Sequence, residues 1–149
     1  DVYKRQGVTP AHIAMGIERA RIPARMELLP GDILLDGGHN PQAARAVRSA
    51  LEDSGYERRT AFIGMMNTKD HRAFLQEILP CFDRVYFCDG FSEGEVPAEE
   101  LRRISGLDGA EIFHSPREAL KFARRDHEGG LMYFGGSFYF AAAVREYLV

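Results

Sequence analysis

Residues that could bind a ligand or take part in catalysis are concentrated in three short segments. The first, residues 36–41, reads Asp-Gly-Gly-His-Asn-Pro and lies between an apolar run and a helical pattern. Gly37 and Gly38 let the backbone approach a ligand closely, and the Asp36 carboxylate can accept hydrogen bonds from sugar hydroxyls. His39 and Asn40 add polar groups beside the positive end of the next helix. The segment predicts a ligand site, while a plain turn with Asn40 as a helix cap is the competing interpretation.

Two more segments also follow an apolar run and precede a helical pattern. Residues 64–71 read Gly-Met-Met-Asn-Thr-Lys-Asp-His, in which Lys69 can reach an anion and Asp70 can cap a helix. Gly135 and Gly136 precede Ser137, so that backbone N–H groups and a hydroxyl could bind a carboxylate or a phosphate. In both segments a simple helix cap explains the same residues, and the two interpretations stay open.

The sequence lacks several motifs that identify other kinds of active site. It contains no Gly-x-x-x-x-Gly-Lys-Ser/Thr loop, no Gly-x-Gly-x-x-Gly and no Gly-x-Ser-x-Gly. Its five histidines include no pair at i, i+4 as in metal-binding helices. The sequence therefore argues against a dinucleotide cofactor, a serine nucleophile of the hydrolase type and a metal site made by this chain alone.

The composition of the chain indicates which classes of protein it can belong to. A length of 149 residues suits one domain, and 45% hydrophobic with 28% charged residues is typical of a folded globular protein. A net charge of -3 argues against nucleic acid as a partner, and no apolar run approaches the roughly 18 residues of a membrane span. Cys81 and Cys88 lack metal-ligand spacing, so we expect buried, reduced thiols and a cytoplasmic location. We also expect a monomer.

The elements that must position these segments alternate along the chain. Strands are predicted at residues 32–35, 60–63, 84–88, 111–113 and 131–134, each followed by a helical pattern. Such alternation predicts a three-layer α/β sandwich with a mostly parallel, Rossmann-like sheet and helices on both faces. A strand at residues 26–29, antiparallel to its successor, is expected at an edge. Residues 89–97, rich in Gly, Ser and Glu, are predicted to be a flexible loop.

Three details of these elements are specific enough to compare with the structure. The first helix begins at Pro41 and is predicted to face the core with Ala43, Val47, Ala50 and Leu51. The final helix is predicted to carry Ala141, Val144 and Leu148 on one side. Ser115 to Glu118 form a capping box at the start of another helix.

The residues before Asp32 differ in character from the rest. Thr9 and Pro10 are predicted to begin a helix that runs to about Arg21. We interpret residues 1–31 as the tail of an interdomain linker with the first elements of the domain, and residues 32–149 as the α/β domain itself. Because the chain has no initiator Met, we expect it to be part of a longer protein.

Four segments together resemble a known family. Residues 36–41 are similar to the Asp-Gly-Ala-His-Asn-Pro motif of folylpolyglutamate synthases, which belong to the Mur ligase superfamily. Residues 22–27 resemble the family's Trp-Pro-Gly-Arg-x-Glu, residues 64–70 its Gly-x-x-x-Asp-Lys-Asp, and residues 136–139 its Gly-Ser-Leu-Tyr. The matches occur in the family's order over nearly the whole chain. The resemblance implies the C-terminal domain of such an enzyme and a Mur ligase C-terminal-like fold.

The resemblance also implies a reaction and roles for individual residues. Such enzymes use ATP to phosphorylate a carboxylate of a folate or of dihydropteroate, and the amine of L-glutamate attacks the acyl phosphate. By resemblance, Arg25 and Asp36 contact the nucleotide, Asp36 through the ribose hydroxyls, together with Gly37, Gly38 and Asn40. His39 and Ser137 are expected near the phosphates and the incoming glutamate. Lys69 and Asp70 match a motif but receive no role.

In the family, the phosphate-binding loop, the magnesium ligands and most of the folate site belong to an N-terminal ATPase domain. We therefore expect ATP and Mg²⁺ to be held mainly by that domain, which is the chain's main partner, and the fragment alone to be inactive. The sequence departs from the family pattern in four places: Ile22 for Trp, Ala24 for Gly, Gly38 for Ala, and Gly135 for a Thr often found there.

Alternative functions remain open at this point. The parent protein could be a Mur-type peptidoglycan ligase or another amino-acid ligase, and this domain cannot separate folylpolyglutamate synthase from dihydrofolate synthase activity. A non-catalytic nucleotide-binding module is a third hypothesis, because one fold can host many functions.

Overall fold

The computed structural model describes residues 25–127 and 129–148, which form a six-stranded sheet in the order β1-β2-β6-β3-β4-β5. The pair β1–β2 is antiparallel, and all other neighbours are parallel. The predicted, mostly parallel sheet with one antiparallel edge strand is therefore confirmed. The strands are β1 Glu27–Leu29, β2 Ile33–Asp36, β3 Arg59–Ile63, β4 Arg84–Cys88, β5 Ile112–Phe113 and β6 Leu131–Gly135.

In the part of the chain that the structure describes, five α-helices cover the two faces of the sheet. Helices α1, α2 and α3 bury their apolar side chains in one core cluster, and α4 and α5 bury theirs in a second cluster on the other face. The predicted three-layer sandwich is confirmed. None of these helices is long and apolar enough to cross a membrane. Their bounds are α1 Pro41–Glu52, α2 His71–Ile78, α3 Ala98–Ser105, α4 Pro116–Arg125 and α5 Phe138–Glu146.

Helix α1 differs from the prediction in the stripe that it buries. Its buried residues are Ala44, Val47 and Leu51, whereas Ala43 and Ala50 are only half-buried. The prediction was wrong at these two alanines because the stripe starts one residue later. Ala43 instead faces the turn before the helix, where its methyl group occupies space left by Gly38.

Other local predictions agree with the structure or differ from it by a few residues. The Ser115 hydroxyl accepts a hydrogen bond from the Glu118 N–H and caps α4, as predicted. Helix α5 ends at Glu146, so Leu148 lies beyond it but still packs against the same core cluster. Cys81 and Cys88 are buried free cysteines. The helix predicted from Thr9 to Arg21, and most of the 1–31 segment, lie outside the described residues.

The strand order brings the three candidate site segments together. Strands β2, β6 and β3 are neighbours, and Gly135 pairs with both Asp36 and Ile63. The segments that follow these strands therefore leave the same edge of the sheet at the same level. In parallel α/β sheets this carboxyl edge is where ligands bind.

Candidate functional site

A cavity of about 210 Å³ at the carboxyl edge collects residues from all three segments. His39 follows β2, Met66 and Lys69 follow β3, and Ser137 follows β6. Phe138 and Tyr139 complete the lining and are 46% and 59% exposed. The sequence analysis named His39 and Ser137 as site residues and left Lys69 without a role, and the structure brings all three to one cavity. Phe138 and Tyr139 were missed as site residues, although they lie within the Gly-Ser-Phe-Tyr match.

A larger cavity, of about 340 Å³, lies at the opposite edge of the sheet. Its lining includes the first residues of β3, β4 and β6 and the C-terminal part of α4. It contains none of the residues that the sequence analysis singled out. We assign the site to the smaller cavity because the carboxyl edge also carries the helix N-termini, which favour anionic ligands.

Asp36 is largely buried, with 5% of its surface exposed. Its Oδ1 accepts a hydrogen bond from the Met26 N–H and its Oδ2 accepts one from the Gly38 N–H, both at 3.1 Å. Burial raises the pKa of this carboxyl group, an effect that the two N–H groups and the charge of Arg25 partly offset. Asp36 therefore ties the backbone next to Arg25 to the turn that carries His39.

The Gly37–Gly38 turn is shaped by the chain itself. A Cβ atom on Gly38 would lie 2.5 Å from the Ala43 Cβ and 2.7 Å from the Asp36 Oδ2. Gly38 is thus required by internal packing, whereas the sequence alone suggested close approach of a ligand. The same contact explains the departure from the family's Ala at this position, since Ala43 fills the space.

His39 is half-buried, and its pKa is lowered chiefly by desolvation and then by the charge of Lys69. The imidazole is therefore neutral at neutral pH, because the protonated form is disfavoured next to a lysine. A neutral imidazole has one nitrogen that can accept a hydrogen bond or a proton. His39 can thus take a proton from a group that enters the cavity.

Ser137 is 2% exposed and caps α5, since its Oγ accepts a hydrogen bond from the Tyr139 N–H at 3.1 Å. A hydroxyl that accepts one hydrogen bond still has a proton to donate. The preceding Gly136 has a φ of 101°, and a Cβ there would lie 2.8 Å from the Gly64 carbonyl oxygen. The departure at Gly135 is explained by Tyr133, whose hydroxyl occupies the space of a side chain at 135.

The predicted caps at the other two segments are present. The Asn40 Oδ1 accepts a hydrogen bond from the Ala43 N–H at 2.8 Å, and the Asp70 Oδ1 accepts one from the Ala73 N–H at 3.1 Å. Asn40 therefore has a structural role, and only its amide N–H₂ group remains to contact a ligand.

Arg25 is exposed at the start of the described chain. Its charge lowers the pKa of both Asp36 and His39, so the guanidinium lies near the site. Residues 25–127 and 129–148 contain no group of three or more His, Cys, Asp or Glu side chains that could hold a metal ion. Groups near the site that could bind an anion include the Arg25 guanidinium and the N–H groups at the starts of α1 and α5.

A family model described as "Mur ligase, glutamate ligase domain" matches residues 24–138, most of the chain. The chain belongs to this family. The four-segment resemblance found in the sequence is thereby confirmed. Among curated proteins, this glutamate ligase domain is 29% identical over 159 residues to the folylpolyglutamate synthase of Lacticaseibacillus casei, which covers 99% of the chain and 35% of that protein. A Halobacterium salinarum protein named "Probable bifunctional folylpolyglutamate synthase/dihydropteroate synthase" is 34% identical over 106 residues, 70% of the chain and 13% of that protein.

The chain is also similar to solved structures of folylpolyglutamate synthases. The bifunctional folylpolyglutamate synthase/dihydrofolate synthase of Yersinia pestis has a TM-score of 0.78 and 26% identity, covering 89% of this chain and 32% of that chain. E. coli FolC in complex with DHPP and ADP has a TM-score of 0.76 and 25% identity, covering 85% and 31%. The glutamate ligase domain thus spans about a third, or less, of each of these relatives.

Proposed function

We propose that this domain is the C-terminal part of an ATP-dependent ligase that adds L-glutamate to a folate. The reaction forms an amide from a folate carboxylate, activated as an acyl phosphate, and the amine of glutamate, and it releases ADP and phosphate. The chain by itself is inactive in this account, because in the family the phosphate-binding loop belongs to the N-terminal domain.

One observation carries the proposal. His39, Lys69 and Ser137 come from three separate strand ends and line one cavity of about 210 Å³. A neutral imidazole, an ammonium group and a hydroxyl at a helix N-terminus form a site for an amino acid that carries an anionic carboxylate and must lose an ammonium proton. The similarity to the Lacticaseibacillus casei folylpolyglutamate synthase over 99% of the chain supports glutamate as that amino acid.

Each residue then has a chemical task. Lys69 and the N-terminal N–H groups of α5 bind a carboxylate of glutamate, and the Ser137 hydroxyl donates a hydrogen bond to it. His39 accepts a proton from the amine as the amine attacks the activated carboxylate. Since burial and then the charge of Lys69 lower the pKa of His39, the two residues act together: Lys69 binds the substrate and also helps to keep the base neutral.

A second group of residues is proposed to contact the nucleotide. Arg25, Asp36, Gly37, Gly38 and Asn40 are proposed to contact ATP, with Asp36 acting on the ribose hydroxyls as well as holding the turn. ATP and Mg²⁺ are held mainly by an N-terminal ATPase domain. The Yersinia pestis enzyme, at 25% identity, has been solved with Mn, AMPPNP and L-glutamate, which supports a nucleotide, a divalent metal and glutamate as ligands. We further propose a cytoplasmic monomer.

A second activity is supported by two relatives. The Yersinia pestis neighbour is bifunctional, and the E. coli neighbour was solved with DHPP. We infer that the parent protein also adds glutamate to dihydropteroate, which would make it a dihydrofolate synthase as well.

The test uses the full-length protein with ATP, glutamate and one acceptor at a time: tetrahydrofolate, dihydropteroate, or none. ADP release and the mass of the product are followed together. The proposal predicts a product one glutamyl residue heavier than the acceptor, with ADP release that needs both acceptor and glutamate. ATP binding by a folded protein without any glutamyl product would refute the folate assignment.

A further inference from the structure

Glu95 lies in the loop after β4, which we call the Glu95 loop and define as residues 89–97. Its carboxylate accepts hydrogen bonds from three successive backbone N–H groups, those of Gly90 at 2.6 Å, Phe91 at 2.8 Å and Ser92 at 3.0 Å. Successive N–H groups of this kind form a concave anion site, and here the chain fills it with its own side chain. Hydrogen bonds to an ionised acceptor are stronger than neutral ones, so Glu95 fixes the path of a loop that was predicted from its composition to be flexible.

The Glu95 loop is joined to the segment that carries Lys69. Met66 and Glu95 form an antiparallel bridge. The Asn67 N–H donates to the Gly94 carbonyl oxygen at 2.9 Å, and the Val96 N–H donates to the Met65 carbonyl oxygen at 2.8 Å. These bonds make a short two-stranded ribbon that ends two residues before Lys69.

The same loop also supports the Ser137 segment through Phe91. The Phe91 ring covers Gly64, where a Cβ atom would lie 2.7 Å from the Phe91 Cε1. Gly64 in turn donates its N–H to the Gly135 carbonyl oxygen at 3.1 Å, and its own carbonyl oxygen lies against Gly136. A continuous series of contacts therefore runs from the Glu95 carboxylate through Phe91 and Gly64 to the turn before Ser137.

The two ends of the loop are anchored independently of Glu95. Asp89 accepts a hydrogen bond from the Ala98 N–H at 2.7 Å, and its other oxygen lies 2.7 Å from the His114 Nδ1. Removing the Glu95 carboxylate is thus expected to loosen the middle of the loop while α3 and β5 remain in place.

We propose that Glu95 is a positioning residue of the candidate site: by fixing the Glu95 loop it sets the positions of Lys69 and Ser137. The inference rests on the proposed function and extends it, because Lys69 and Ser137 are the residues that bind a carboxylate of glutamate there. His39 follows β2, a strand that does not pair with β3 or β4, so we expect its position to depend less on Glu95. Loss of Glu95 should therefore weaken glutamate binding more than it slows the chemical step.

The test compares Glu95→Gln with Glu93→Gln in the full-length protein. Both changes remove one charge from the same loop, but the Glu93 side chain is exposed. Amide hydrogen exchange is measured first, at Asn67 and Val96. Glu95→Gln should speed exchange at both amides about tenfold, because a loop that Glu95 no longer fixes opens at a lower cost in free energy. Glu93→Gln should leave both unchanged, and unchanged exchange in Glu95→Gln would overturn the inference whatever reaction the protein catalyses.

Steady-state kinetics form the second measurement. In Glu95→Gln the KM for glutamate should rise about tenfold while kcat and the KM for ATP stay within about twofold. Glu95→Asp, which keeps the charge but is one methylene shorter, should give a smaller effect of the same kind and serves if Glu95→Gln does not fold. A wild type without glutamate addition would reject the proposed function alone, whereas an active wild type with identical KM values in all variants would reject the role of Glu95.

Discussion

At the residue scale, the site depends on polar groups that the domain buries. Asp36, which is proposed to contact a ligand, also accepts two backbone hydrogen bonds from residues on either side of it in the chain. The sequence could not show this, because the bond from Met26 depends on how β1 folds back against β2. A carboxylate in such a position acts on the site by holding two of its segments together.

The role of Asp36 predicts a measurable loss of stability. Asp36→Ala leaves the Met26 and Gly38 N–H groups without their acceptor, and unpaired buried groups cost about 1–3 kcal/mol each. With two such groups, we expect urea unfolding of the full-length protein to show a loss of about 2–6 kcal/mol, together with a large fall in glutamate addition. Asp108→Ala, at an exposed position, should change neither quantity. A variant at Asp36 as stable as wild type would contradict the assigned hydrogen bonds.

The link between Lys69 and His39 predicts a shift in pH dependence. The charge of Lys69 lowers the pKa of His39, so Lys69→Met should raise that pKa towards its ordinary value of 6.5. Protonation of His39 would then begin at higher pH, and the acid limb of kcat/KM should move up in pH. A titration of the His39 ring by NMR, in the full-length protein, measures the shift independently of activity. A lower His39 pKa in the variant would contradict the proposed contact, and Lys121→Met on α4 is the control.

A substitution at Tyr133 is predicted to stabilise the domain, in contrast to the loss of stability predicted for Asp36→Ala. Among the described residues, its hydroxyl is the buried side-chain group without a hydrogen-bond partner. Tyr133→Phe removes an unpaired polar group and should raise the free energy of unfolding by about 1 kcal/mol. Tyr56→Phe is the matched control, because the Tyr56 hydroxyl donates to Asp32 at 3.0 Å and its loss should lower stability. Equal destabilisation by both changes would mean that Tyr133 has a partner after all.

At the scale of elements, the sequence predicted most of what the structure contains. The alternation of short apolar runs with helical patterns gave the strands and the parallel topology, since periodicity is a local property. The errors lie where packing between elements, rather than local sequence, decides which contacts a side chain makes. Ala43 was assigned to the core because it belongs to an apolar stripe, yet it packs against the turn at Gly38. The contact of Phe91 with Gly64 joins residues far apart in sequence, and no local pattern indicates it.

The packing of α1 against its own N-terminal turn can be tested with a double substitution. Gly38→Ala places a methyl group 2.5 Å from the Ala43 Cβ, and such overpacking costs about 1–3 kcal/mol. Ala43→Gly alone should cost about 1 kcal/mol from helix propensity. Because the second change removes the closer of the two clashes, the one with the Ala43 methyl group, the double variant should be more stable than the sum of the two losses predicts. Strict additivity in urea unfolding would show that the two residues do not compete for this space.

At the scale of the whole molecule, the candidate site residues lie at one edge of the sheet. His39, Lys69 and Ser137 line a cavity that opens beside the exposed rings of Phe138 and Tyr139. The domain spans 31–35% of the relatives that cover most of it, so the residues that hold ATP phosphates and folate are proposed to lie elsewhere in the parent protein. The site works, in this account, as one wall of a cleft from which water is excluded during transfer.

The most direct test of this account is ATP-dependent addition of labelled glutamate to tetrahydrofolate by the full-length protein. Wild type is compared with His39→Ala, Lys69→Met and Ser137→Ala, and with His127→Ala as a histidine control at the opposite edge of the sheet. The account predicts activity in wild type and in His127→Ala, and a fall of about a hundredfold or more in kcat/KM for the His39 variant, the size expected for loss of a general base. Undiminished addition in the three site variants would contradict the assignment of the site.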